Sequence, residues 1–83
     1  MRVYLGWYAN GQPQGAPQPV ENETEARHAV LQRFPAATFS DKVKSLEQPA
    51  ASGLAGIDEM LYAWPGPQPP GLGPVADILF SSK

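Results

Sequence analysis

Apolar and polar positions alternate from the start of the chain. Val3, Leu5 and Trp7 interleave with Arg2, Tyr4, Gly6 and Tyr8, a period of two that predicts a β-strand over 2–9. Large side chains fall on both of its faces, so this strand is expected to be central or covered on both sides. Asn10-Gly11 signals a turn. Pro13, Pro17 and Pro19 each remove a ladder donor, so 10–20 is expected to be a loop of extended or polyproline-like character.

The period then changes. Ala26, Ala29, Val30 and Phe34 recur at helical spacing, and Pro35 stops the run. Asn22 stands three residues before Glu25, the spacing of a capping box with Asn as the cap. Glu21, Glu23 and Glu25 gather at the end where the helix dipole favours negative charge. Glu23 and Arg27 form an i,i+4 pair in the favoured order. These signals predict a helix over about 23–34, with His28 and Gln32 on its polar side.

Beyond Pro35 the pattern weakens. A strand is expected over about 38–46, although a short helix capped by Ser40 fits the spacing of Val43 and Leu46. The run from 49 to 56 is rich in small residues and reads as loop. Ile57, Met60, Leu61 and Trp64 match a helical stripe, while Met60, Tyr62 and Trp64 alternate equally well as a strand. Gly53, Gly56 and Pro65 weigh against the helix, so a strand over 59–64 is preferred. Val75 to Phe80 is expected to pair with it as a closing strand. Between them, eight of the ten residues 65–74 are Pro or Gly, which suits neither helix nor ladder.

These elements predict an α+β fold: a three- or four-stranded, mostly antiparallel sheet with one packed helix. At 83 residues a single domain is expected, and a chain of that size buries only about 60–65% of its unfolded surface. Cysteine is absent, so neither a disulfide nor a thiolate chemistry is open to it. Six Lys plus Arg stand against eight Asp plus Glu, a net charge of −2. The basic excess with which nucleic-acid binders neutralise phosphate is missing. No apolar run approaches the ~18 residues of a membrane span. The first residues read as a strand rather than a signal peptide, so the cytoplasm is the expected location.

The candidate chemistry is sparse. His28 falls on the polar side of the helix, with no nucleophile or orienting acid assigned to it. Ser52-Gly53 lacks the first glycine of a nucleophile elbow. Asp58 and Glu59 are adjacent and would point to opposite faces of a strand. One histidine and no cysteine argue against a transition-metal site, and no cofactor is expected. Gly53-Leu54-Ala55-Gly56 lacks the Lys-Ser/Thr of a phosphate loop. Lys42 and Lys44 would share one strand face, where they could hold an anion or simply guard an edge.

Two features remain. Tyr and Trp bury much area at low entropy cost, which makes Tyr4, Tyr8, Tyr62 and Trp64 candidate contact residues, whereas Trp7, between apolar neighbours, is expected in the core. Prolines stiffen a contact loop before it binds, which adds Pro67, Pro69 and Pro70 to the candidates, with Lys42 and Lys44 beside them. Pro67 and Pro70 have P-x-x-P spacing but no basic residue nearby.

The expected function is therefore non-catalytic binding of a protein partner. In size, acidity, lack of cysteine and lack of a catalytic set, the chain resembles the small inhibitors that phages and mobile elements direct at host defence proteins. That likeness is one of type, carried by no motif. The alternative is a binder that sequesters a nucleotide-like small molecule. There an aromatic ring would stack on the base, and Arg2, Arg33, Lys42 or Lys44 would hold phosphate.

Overall fold

The computed structural model describes residues 1–44, 56–67 and 73–82. Its elements, in chain order, are β1 (Arg2–Ala9), β2 (Gln12–Pro13), β3 (Gln18–Val20), α1 (Glu23–Arg33), β4 (Thr38–Phe39), β5 (Val43–Lys44), β6 (Glu59–Trp64) and β7 (Ala76–Ser81). The seven strands among the described residues form one antiparallel sheet in the order β2-β1-β7-β6-β4, with β3 beside β2 on the outer side of β1 and β5 beside β4 on the outer side of β6. The fold is α+β, as the alternating patterns predict, but its sheet is larger than the expected three or four strands.

The extra strands come from two places. The first is the proline-rich segment 10–20, which was expected to be loop. Tyr8 N–H points the other way, to Val75 O at 2.8 Å, so Pro13 opposite Tyr8 is asked for no hydrogen bond. Gln14 N–H supplies the next bond, to Trp7 O at 2.8 Å. By the two-residue alternation Tyr4 also turns its N–H away from this edge, and Pro19 lies opposite it. A proline at every second residue of an edge thus costs the ladder nothing. Asn10 and Gly11, both at positive φ (53° and 76°), make the tight turn into β2.

The second place is the expected strand over 38–46, which is broken. Phe39 pairs with Ala63 and Val43 with Met60, so three residues on one strand face two on the other. That extra residue is a β-bulge. Ser40 bridges it: its N–H donates to Tyr62 O and its Oγ accepts from Tyr62 N–H, each at 2.8 Å. The expectation for 49–56 falls almost wholly outside the described residues, as do Ser52 and Gly53-Leu54-Ala55.

The helix begins and ends close to where its signals place it. Asn22 Oδ1 accepts from Glu25 N–H at 2.9 Å, and Phe34 N–H donates to Val30 O at 2.8 Å. Ala26 and Val30 are wholly buried, with Ala29 packed beside them. Phe34, expected in the same stripe, instead sits half-buried at the C-cap. The helix carries the chain from one sheet edge to the other across a single face. There it meets Val3, Leu5, Leu61, Ala63, Ile78 and Phe80, the apolar parity of β1, β6 and β7. Trp7 shares this face but is only half-buried, packed against the core with the Arg33 guanidinium 4.2 Å above its ring.

The strand expected to close the sheet is its centre. β7 pairs with β1 on one side and β6 on the other, and each of its six residues is buried. No helix of the described residues is long and apolar enough to cross a membrane.

Candidate aromatic face

The opposite parity of the strands builds a second face, on which the described residues place no helix. Cross-strand register sets its rows. Gly6, Asp77 and Tyr62 lie side by side, and Tyr4, Leu79 and Met60 form the next row. Tyr8 follows two residues after Gly6, and Trp64 two residues after Tyr62, so both return to this face. The backbone of Val75 joins their ends of the sheet, accepting from Tyr8 N–H and donating to Ala63 O, each at 2.8 Å. All four aromatic candidates therefore share one face, and each is half-buried. The Tyr62 and Trp64 rings are 6.3 Å apart between centroids, tilted by 50°.

At the centre of this face stands Asp77, 1% exposed. Its Oδ2 accepts the Tyr8 hydroxyl at 2.7 Å. Its Oδ1 is buried, with no partner in hydrogen-bonding geometry among the described residues. That oxygen leans over Gly6: a Cβ at position 6 would lie 2.5 Å from it. Glycine is thus the residue that leaves room for the carboxylate. Burial pushes the Asp77 carboxyl above the usual carboxylate range, partly offset by the Tyr8 hydroxyl and by the nearby amides of Asp77 and Gly6. Tyr8 is raised in turn, by burial first and then by its bond to Asp77. Tyr62 is raised by burial and by the charge of Asp77. A second polar atom on this face, Trp64 Nε1, is also buried without a partner.

Two open clefts flank the face. One, of about 550 Å³, lies at the Tyr8 end, between the Asn10-Gly11 turn and Pro65, Pro74 and Val75. The other, of about 790 Å³, lies at the far end and opens round the edge to the helix side, where Arg2, Tyr4 and Pro19 meet Val3, Glu25 and Ala29.

The remaining candidates fall elsewhere. Lys44 pairs with Glu59, on the helix side of the sheet. Lys42 turns to the same side, with its Nζ 2.9 Å from Glu23 Oε1 and 4.4 Å over the Phe80 ring. The two lysines do share a face, as their spacing predicts, but not the face of the aromatics. The bulge decides this, because one extra residue reverses the facing of everything beyond it. Glu23 also holds Arg27 Nε at 2.8 Å, and these cations, Lys42 first, keep its carboxyl below the usual range. Pro67 is exposed at the end of the described stretch, while Pro69 and Pro70 lie outside the described residues. His28 is exposed on the helix. Among the described residues no three His, Asp or Glu gather as metal ligands would.

Sequence reasoning missed Asp77 and Gly6. The signal was present: one acidic residue interrupts the apolar run Val75-Ala76-Asp77-Ile78-Leu79-Phe80. In a strand buried on both faces that charge must be buried too, and a buried charge needs an explanation. No protein-family model matches the chain, and no curated protein and no solved structure matches it either.

Proposed function

We propose that this chain is a non-catalytic binding protein that meets a protein partner through the face bearing Tyr4, Tyr8, Tyr62 and Trp64. The observation that carries the reading is their convergence: four half-buried aromatic side chains from two strands share the face opposite the helix. Tyr and Trp of this kind supply binding area at small entropy cost. Pro19, Pro65 and Pro74 border the same face in its flanking clefts and stiffen its rim.

The nucleotide-like alternative draws less support, because Arg33, Lys42 and Lys44 lie on the helix side, which leaves Arg2, at the far end of β1, as the one named cation on the face of these rings. The narrower role, inhibition of a host defence protein by a phage or mobile element, rests on likeness of size and composition. It would make the partner a host protein.

The test is capture from the natural host with the parent chain and two pairs of variants. Tyr62→Ser and Trp64→Ser alter the aromatic face; His28→Glu and Leu31→Glu alter exposed helix positions. A protein retained by the parent and the helix variants, and lost with the face variants, supports the reading. Loss with the helix variants alone overturns it. A small molecule released from heat-denatured protein and found by mass spectrometry would favour the alternative.

A further inference from the structure

The aromatic face contains a charged group that apolar contact alone does not use. Asp77 is a carboxylate on the central strand, 1% exposed, with Oδ1 unpartnered. Buried carboxylates ordinarily have their lone pairs filled, and one left short of donors is costly. The nearby amides of Gly6 and Asp77 favour its charge without bonding Oδ1. What the group lacks is a donor, best a cationic one.

The described cations do not supply it. Arg27 and Lys42 are held by Glu23, and Arg33 lies over Trp7, all on the helix side. Lys44 faces Glu59 on that side as well. Arg2 shares the parity of the aromatic face but stands four residues along β1 from Gly6, roughly 13 Å away at strand rise. Around Asp77 itself stand aromatic rings: Tyr62 in the adjacent register position, Tyr8 hydrogen-bonded to it, and Trp64 beside Tyr62. Aromatic faces attract cations through their quadrupole, and the pull is stronger where water is excluded.

We propose that this face receives an arginine side chain of the protein partner, its guanidinium lying against Tyr8, Tyr62 and Trp64 and donating to Asp77. The inference rests on the binding reading above and narrows the partner's chemistry. Arginine suits the position better than lysine because its planar group stacks on rings while its fork of N–H donors reaches a carboxylate. Asp77 is 1% exposed in the free chain, so the side chains over it move aside as the arginine enters. Interface side chains commonly change rotamer in this way.

The test titrates the full chain with N-acetyl-arginine methylamide and with its uncharged isostere, N-acetyl-citrulline methylamide. Binding is followed by NMR at the signals of Tyr8, Tyr62 and Trp64, with exposed Gln32 on the helix as a distant control. The expected result is a saturable response of the three aromatics to the arginine probe. It should weaken at least tenfold with the citrulline probe and with Asp77→Asn. Should Asp77→Asn fail to fold, the comparison of probes on the parent chain and the Tyr62→Leu variant, expected to weaken the arginine response, decide the matter. An equal response to both probes, an equal response at Gln32, or no response overturns the proposal. If the arginine probe is silent while Tyr62→Ser and Trp64→Ser still abolish partner capture, the recognition face stands and the cation falls. If those variants are silent too, both fall.

Discussion

Removing the Tyr8 hydroxyl tests the physics of the aromatic face most directly. In Tyr8→Phe the ring and its packing remain, and Asp77 loses the one side-chain donor it has among the described residues, a 2.7 Å bond to Oδ2. Both carboxylate oxygens are then unpaired inside the sheet. Hydrogen bonds to charged groups contribute about 1.5–3 kcal/mol, and a neutral one about 1 kcal/mol. The loss should therefore depend on whether Asp77 is ionised. Burial already raises the Asp77 carboxyl above its unfolded value, so the stability this group lends is full below the unfolded pKa near ~3.9 and is lost as pH rises through the folded one. The Tyr8 bond moderates that loss by favouring the carboxylate, and Tyr8→Phe removes the moderation. The deficit of the variant should thus grow from about 1 kcal/mol at pH 4 towards about 2–3 kcal/mol at pH 8. Urea unfolding at the two pH values measures it, with an unchanged slope confirming that the denatured state is the same. Asp77→Asn serves as the control, since it keeps the shape and removes the charge, and Tyr8→Phe made in that background should lose the pH dependence. A deficit equal at pH 4 and pH 8 would refute the reasoning, because the bond would then not be to an ionising group.

Two further outcomes follow from packing. Gly6→Ala should destabilise by roughly 1–3 kcal/mol, because its Cβ would lie 2.5 Å from Asp77 Oδ1; combined with Asp77→Ala the penalty should largely vanish, and additivity in that double-mutant cycle would disprove the contact. Val30→Ala should cost about 2–3 kcal/mol, since its side chain is wholly buried under the sheet, while exposed Gln32→Ala should stay within about 0.5 kcal/mol by thermal unfolding; equal effects would mean the helix packs on another face.

Much of the architecture was legible along the chain because its causes are local. The helix from Glu23 to Arg33 announces itself through the Asn22 cap, the Ala26–Val30 spacing and Pro35, all within a few residues of one another. The strands at 2–9 and 59–64 were visible from period-two alternation, and that alternation already divides Tyr4 and Tyr8 from Val3 and Leu5, and Tyr62 and Trp64 from Leu61 and Ala63; the strand at 75–80 was expected only as an apolar run able to pair with 59–64. What only the tertiary structure decided was which strands are neighbours and which side of a backbone faces outward. Pro13 and Pro19 read as breakers until β1 is seen to ask nothing of them. Lys42 and Lys44 keep their shared parity, yet the bulge after Phe39 turns both to the helix side, and no local preference of Ser40, Asp41 and Lys42 reveals it. Asp77 is an acidic residue in an apolar run until the register sets it between Gly6 and Tyr62, with Tyr8 hydrogen-bonded to it. Alternation sets which face a side chain takes; register, which depends on residues up to seventy-nine positions apart, sets what it meets there.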